Sequence, residues 1–207
     1  MQSLPHSTVR MGAHQGKVYS VALMVTGSSL GILGEGALVA AGYRSSASWT
    51  TEHHLVKGER ISQERLLQLV TEKRDKLFVA CMPVTEPDVE AGGSNSSAVV
   101  GCICAEWAKH HEDLKLPGDH AILGLFAVDP AFQSKGVGSA LMAYAEEYVK
   151  TEWNCKRIVL WVIEQRGDIL EWYKRSGFVA TGKRLPFVMP DLALVDDMHF
   201  CVLAKDV

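Results

Sequence analysis

A run of residue types suited to holding an anion stands at Gln133-Ser134-Lys135-Gly136-Val137-Gly138. Glycines at 136 and 138 let the backbone turn sharply and come close to a ligand. A helix opening here would present unpaired N–H groups and the positive end of its dipole. With the charge of Lys135 beside it, such a cradle suits a diphosphate. A structural glycine turn has the same Gly-x-Gly spacing, so this signal needs company. Neither common nucleotide motif is present: a Walker loop needs Gly-Lys-Ser/Thr after four intervening residues, and the dinucleotide fingerprint needs three spaced glycines.

Side chains able to move a proton are scattered. Glu106 ends an apolar run and is a candidate general base, acting directly or through water. A solvated strand-end carboxylate is the plainer reading, and Asp119, His120 and the pair His110-His111 are rivals that spacing does not separate, so the base stays open. Tyr173 lies with Ile169, Leu170 and Trp172 on an amphipathic stretch, where a phenol can equally pack into a core. His53-His54 lacks a third ligand at suitable spacing. The five cysteines (Cys81, Cys102, Cys104, Cys155 and Cys201) contain no Cys-x-x-Cys pair. Neither a metal site nor a disulfide framework is therefore expected. Cys102 and Cys104 would share one face of a strand and read as small buried hydrophobes.

The elements that must position these groups are legible to different degrees. Val137, Ala140, Leu141, Tyr144, Ala145 and Tyr148 repeat at helical spacing, with Ser139, Glu146, Glu147 and Lys150 opposite. Before them Ala121 to Val128 is a strand-like run stopped by Asp129-Pro130. Upstream, a helix is expected over Ser62 to Lys73, with Ser62 as N-cap, Ile61 stapled to Leu66, and Leu66, Leu67 and Val70 buried. Strands are expected at Leu77 to Met82 and Val99 to Trp107, joined by a long mobile connection over residues 83–97. Downstream come a β-branched strand, Arg157 to Ile163; a short helix, Asp168 to Ser176, closed by Gly177; and strands at Phe178 to Thr181 and Met198 to Leu203. Between Thr8 and Arg44 the pattern is poor and reads as two helices broken at Gly27 to Ser29. The order implies an α/β fold whose mixed sheet is largely antiparallel up to Val128, with at least one parallel crossover.

At 207 residues, 47% of them apolar, the chain suits a single domain spanning 1–207. A net charge of -3 with scattered Lys and Arg speaks against nucleic acid as a partner. A small molecule or peptide fits better. Met1 to His14 carries no signal-peptide pattern. Val18 to Gly34 is uncharged but falls short of the ~20 apolar residues a membrane span needs. The unpaired cysteine count suits a reduced compartment, so the cytoplasm is expected, and Asn95-Ser96-Ser97 reads as loop.

Leu125-Phe126-Ala127-Val128-Asp129-Pro130 followed by Gln133-x-x-Gly136-x-Gly138 resembles the cofactor motif of the GNAT superfamily of N-acetyltransferases. Leu170-Glu171-Trp172-Tyr173-Lys174-Arg175-Ser176-Gly177-Phe178 is similar to that superfamily's second signature, and the two stand in the right order. Further matches to a poorly characterised subfamily lie at Trp49 to Glu52, Gly58 to Arg60, Arg166, Thr181-Gly182, Pro186-Phe187 and Asp196 to Phe200. The similarity covers most of the chain from Tyr43 onward and is weakest between Lys17 and Gly36; residues 1–42 match poorly.

What the resemblance implies is a sheet of about six to seven strands, with helices on both faces and a splayed central strand pair. Acetyl-CoA would lie in the splay, its pantetheine arm paired with Phe126, Ala127 and Val128. Its pyrophosphate would rest on the segment Gln133, Ser134, Lys135, Gly136, Val137, Gly138 and Ser139. Tyr173 would be the general acid for the departing thiolate, since a phenol of pKa about 10 is protonated at neutral pH. Glu52, Arg60, Arg166, Asp197 and His199 would face the substrate, and Arg166 could pair with a substrate carboxylate, with Glu52, or in a structural salt bridge. The expected activity is direct acetyl transfer to a primary amine of a small molecule. The alternatives are a protein N-terminus or lysine as acceptor, or a non-catalytic acyl-CoA sensor. A monomer or homodimer is expected.

Overall fold

The structure, a computed structural model, describes residues 10–14, 17–23, 42–43, 45–59, 61–71, 74–83 and 97–207. Arg60 and most of the connection over 83–97 lie outside the described residues.

Eight strands form one sheet in the order β1-β2-β3-β4-β5-β6-β8-β7. They are β1 Arg10–His14, β2 Lys17–Leu23, β3 Lys76–Pro83, β4 Ser97–Trp107, β5 His120–Val128, β6 Arg157–Ile163, β7 Val179–Pro186 and β8 His199–Asp206. Among the described residues three α-helices accompany them: α1 Gln63–Thr71, α2 Val137–Thr151 and α3 Gly167–Arg175. Every neighbouring pair is antiparallel except β5 and β6, whose crossover carries α2. The sheet exceeds the expected six or seven strands because the N-terminal part contributes a hairpin. In place of helices, residues 10–14 and 17–23 are β1 and β2, and the Gly27 to Ser29 break lies outside the described residues. β2 pairs with β3 from Ser20↔Cys81 to Leu23↔Phe78.

Alternation along β3 and β4 divides the core into two layers. Leu77, Val79, Cys102 and Cys104 pack against Leu66 and Leu69 of α1. Phe78, Ala80, Ile103 and Ala105 face the other way, onto Val137, Leu141, Ala145 and Val149 of α2. Phe78 sits edge-on to Tyr144 and Tyr148, at 5.3 and 5.1 Å between ring centroids. The α1 face differs from expectation: Leu66 and Leu69 are buried, whereas Leu67 is 46% exposed. The two buried leucines stand three positions apart, and Leu67 is turned about 100° away from Leu66. Ser62 caps this helix through its Oγ, which accepts from Arg65 N–H at 3.2 Å. At the far end of α3, Gly177 adopts φ 92°, with Phe178 N–H on Tyr173 carbonyl (3.1 Å) and Gly177 N–H on Lys174 carbonyl (3.0 Å), a Schellman closure.

The feature that builds the site is a gap in the sheet. β5 and β6 pair only at His120↔Arg157, Ala121↔Ile158 and Ile122↔Val159, then separate. On its other edge β5 pairs with β4 through a bulge between Cys102 and Cys104, where Leu125 takes φ 45°.

Candidate active site

A cavity of about 340 Å³ occupies the gap beyond Ile122 and Val159. Phe126 and Val128 form one wall, and Trp161, Val162 and Ile163 the other. At its mouth stands the opening of α2, where Ser134 and Gly136 both adopt left-handed backbone, φ 59° and 82°. The first helical hydrogen bond is Ala140 N–H to Gly136 carbonyl (3.0 Å), which leaves Val137, Gly138 and Ser139 amides without an acceptor inside the helix. Among the described residues no side chain caps this end. The donors therefore point at the cavity mouth, where the dipole favours negative charge. A Cβ on Gly138 would meet Phe126 Cζ at 3.3 Å and Val128 Cγ2 at 3.7 Å, so glycine here lets α2 sit close on β5.

Residues 42–43 and 45–52 form the roof, fastened by two side chains. Gln133 Nε2 donates to Ser48 Oγ (2.7 Å), Thr50 Oγ1 (3.2 Å) and Val128 carbonyl (3.2 Å), while its Oε1 accepts from Trp49 N–H (3.1 Å). Arg166, buried at the N-terminus of α3, donates to Thr50 carbonyl (2.8 Å) and forks onto both oxygens of Asp168 (3.0 and 2.9 Å). Burial pushes the Asp168 carboxyl up, but the hydrogen bond and charge of Arg166, together with the backbone amides of Ile169 and Asp168, outweigh it and hold the group below its ordinary value.

Two phenols reach the cavity. Tyr43 hydroxyl accepts from Phe126 N–H (3.1 Å), the amide that follows the bulge. Tyr173 packs edge-on between Trp172 (5.1 Å) and Phe178 (5.6 Å) and also lines the space. Buried Glu52, with Phe200 and Arg175, completes the far side.

The family model described as acetyltransferase (GNAT) family matches residues 48–178, more than half of the chain. The chain belongs to this family. Acetyl-CoA is the co-substrate of the GNAT family. An uncharacterized N-acetyltransferase of Methanocaldococcus jannaschii is 42% identical over 81 residues, 38% of this chain and 32% of the relative; the match spans about a third of that relative's length. Among solved structures, Arabidopsis thaliana NAA60 in complex with a bisubstrate analogue superposes with TM-score 0.63 at 14% identity, covering 90% of this chain and 99% of that one. A GNAT acetyltransferase of Elizabethkingia anophelis with acetyl-CoA bound gives TM-score 0.57 at 15% identity, over 91% and 98%. These likenesses share the GNAT fold: an open mixed sheet flanked by helices.

Of the residues expected to meet cofactor or substrate in this GNAT chain, the structure brings together Phe126, Val128, Gln133, Ser134, Gly136, Gly138, Ser139, Glu52, Arg166 and Tyr173. Ala127 and Val137 do not line the cavity, and their side chains are buried in opposite core layers. Lys135 ammonium is turned back onto Ala131 carbonyl (2.7 Å) and over the Phe132 ring (5.4 Å). The charge expected to face the cradle is thus engaged on its outer side. Arg166 makes an ion pair with Asp168 (2.9 Å) while lining the cavity. Asp197 and His199 stand together outside the cavity, with His199 Nδ1 2.9 Å from Asp197 carbonyl oxygen.

Glu106 does not reach the cavity. It faces Ile122, four residues before Phe126 on β5 and so about 13 Å back along the strand. There burial first, and Asp75 second, push its carboxyl up. Trp49 and Thr50 are marked in the sequence only by the subfamily match, whereas Tyr43, Ser48 and Trp161 carry no signal: the first two need partners more than 80 residues away, and Trp161 reads as an ordinary strand residue.

Proposed function

We propose that this protein is an N-acetyltransferase that moves an acetyl group from acetyl-CoA to the primary amine of a small molecule by direct attack. The observation that carries the reading is the β5–β6 gap, opening onto unpaired amides at the start of α2 with Tyr173 on its wall. Strand backbone without a neighbour suits an amide-bearing arm, and the Val137, Gly138 and Ser139 amides suit a diphosphate. The co-substrate supplies the electrophile, a thioester carbonyl. The chain's residues position the amine and exclude water through Trp49, Trp161 and Trp172, while Tyr173 supplies the proton the thiolate takes up. A new C–N bond replaces the C–S bond, and the proton lost by the amine leaves through solvent or an ordered water.

Support for a small acceptor comes from the roof. Val56 and Ala193 form a β-bridge, with Lys57 N–H on Leu192 carbonyl (2.9 Å) and Leu194 N–H on Leu55 carbonyl (2.8 Å). These bonds tie the segment that follows Glu52 of the cavity wall to the β7–β8 connection, and a roof fastened in this way favours a small acceptor over an extended peptide. Among the described residues no helix is long and apolar enough to cross a membrane.

Turnover tests the reading directly. A panel of amines with acetyl-CoA, followed by release of free thiol, is expected to give at least one good acceptor of small size. Tyr173→Phe should lower kcat by about 10²- to 10⁴-fold while leaving CoA affinity within twofold. An unchanged kcat would remove the acid role, and tight CoA binding without turnover of any amine or peptide would favour the sensor alternative.

A further inference from the structure

Away from the cavity, the β3–β4 register brings two carboxylates face to face. Its first pair is Lys76↔Ala105, so Asp75, one residue earlier, stands across from Glu106. Like charges directly opposite on neighbouring strands are unfavourable unless a cation lies between them, and this pair is sheltered: the Asp75 side chain is 7% exposed and that of Glu106 29%. His111, on the turn after β4, points its Nε2 into the same space, 2.9 Å from Asp75 Oδ1 and 3.8 Å from Glu106 Oε2. One ligand atom from each residue lies within 4.8 Å of the other two.

Other basic groups nearby are engaged elsewhere. Arg74 donates to His110 carbonyl, fixing the turn that carries His111, and Arg65 donates to Gln68 Oε1 (3.4 Å). Among the described residues His111 is the one basic side chain within ion-pairing distance of either carboxylate. Asp75, more than nine-tenths buried, has a donor on Oδ1 alone; Oδ2, in the same pocket of negative charge, has none among the described residues. A protonated imidazole would leave one negative charge unbalanced, whereas a divalent ion with neutral imidazole balances the set.

We infer that Asp75, Glu106 and His111 form a three-ligand site for a divalent first-row transition-metal ion of the Zn²⁺ type, with a fourth position open to water. Two ligand atoms at about 2.1 Å from a tetrahedral ion stand about 3.4 Å apart. The observed separations of 2.9 and 3.8 Å bracket that value, so side-chain rotation alone seats the ion. Carboxylate oxygen and imidazole nitrogen are apt donors for such an ion. The ion would clip the start of β3, the end of β4 and the turn leading to β5, remote from the acetyl-transfer cavity, so the inference stands apart from the proposed activity.

Metal-stripped full-length protein titrated with Co²⁺, and with Zn²⁺ in competition with a chromophoric chelator, tests this. Expected are one equivalent per chain, visible d–d bands without a near-ultraviolet thiolate band, and affinity that weakens as pH falls through the imidazole range, because the ligand nitrogen must be unprotonated. His111→Gln and Asp75→Asn should each weaken binding at least about tenfold, while Cys81→Ser with Cys201→Ser leaves it unchanged. Absence of binding at millimolar metal, a thiolate band, or full affinity in His111→Gln would overturn the assignment. The Co²⁺ spectrum of the unaltered protein and His111→Gln, which changes a turn, keep it decidable should Asp75→Asn not fold.

Discussion

Replacing Gln133 by alanine separates two roles that the family resemblance and the structure give this side chain. In the structure it is a clasp. Its carboxamide nitrogen has two hydrogens for acceptors on Ser48, Thr50 and Val128, and its oxygen takes Trp49 N–H. Three bonds can therefore form at once, each worth about 0.5–1.5 kcal/mol net. Half-buried placement lets water replace part of this, so Gln133→Ala should cost about 2 kcal/mol, or about 4–8 °C in Tm for a domain of this size. Segment 48–50 would keep its bonds from Ser48 Oγ to Gly42 carbonyl (2.7 Å) and from Arg166 to Thr50 carbonyl (2.8 Å). The roof should loosen rather than detach, and CoA affinity should fall by about three- to tenfold, at most ~1.4 kcal/mol. Differential scanning calorimetry with and without CoA, alongside isothermal titration, reads both quantities. An unchanged Tm with affinity down a hundredfold would refute the clasp and make Gln133 a direct diphosphate ligand.

Gly136→Ala forces a Cβ into left-handed backbone at φ 82°, at a cost of about 1–2 kcal/mol; CoA titration should show weaker binding, and equal affinity would mean the cradle lies elsewhere. Leu66→Ala should cost about 2–5 kcal/mol in urea unfolding and Leu67→Ala under ~1 kcal/mol; the reverse order would refute the α1 face. Asp168→Asn removes the counter-ion of buried Arg166 and should cost about 1–2 kcal/mol at pH 7, discounted because Asp168 is half exposed. The folded-state pKa of Asp168 is lowered, so the folded chain binds fewer protons than the unfolded chain around that pKa. The wild-type advantage should be full above about pH 4 and shrink as the pH falls further, and an advantage independent of pH in urea titrations would sink this account.

What could be read from the sequence follows where the signal is carried. Arg157–Ile163 has its expected bounds because a β-branched run between polar stops has one reading. α2 was equally clear, since its buried face repeats over three turns. Leu66, Leu67, Leu69 and Val70 are too crowded with apolar residues to select one face, and only packing on Leu77 and Val79 does so. β7 runs on to Pro186, beyond the expected Thr181, since all its residues are exposed and no apolar alternation marks it; a register shift lies between Ala180 and Arg184. At the site, the glycine turn that opens α2 was legible because local residues fix it. The hydrogen-bond partners of Gln133 and Lys135 were not, because they come from the fold rather than from residue type. Asp75, Glu106 and His111 meet through strand register across 36 residues, a distance at which ligand spacing gives no sign.

The gap that makes the cavity belongs to the frame. A sheet with backbone polar groups on two facing strands would ordinarily close, since each unmade bond is a loss. Here each strand is held from its far side: β5 by six pairs to β4 and β6 by seven to β8. The bulge at Leu125 turns β5 outward, and Tyr43 supplies Phe126 N–H with a partner that β6 would otherwise provide. On the opposite side, Lys205 of β8 bonds both oxygens of Glu146 on α2 (2.8 Å each) and Ser176 carbonyl at the end of α3 (2.9 Å). That junction sets the distance between the two helices flanking the opening, so α2 cannot slide toward β6 without breaking a half-buried charged contact. Strand pairing and this three-way lock therefore hold the crevice open before any ligand arrives, and binding energy need not be spent on parting the strands.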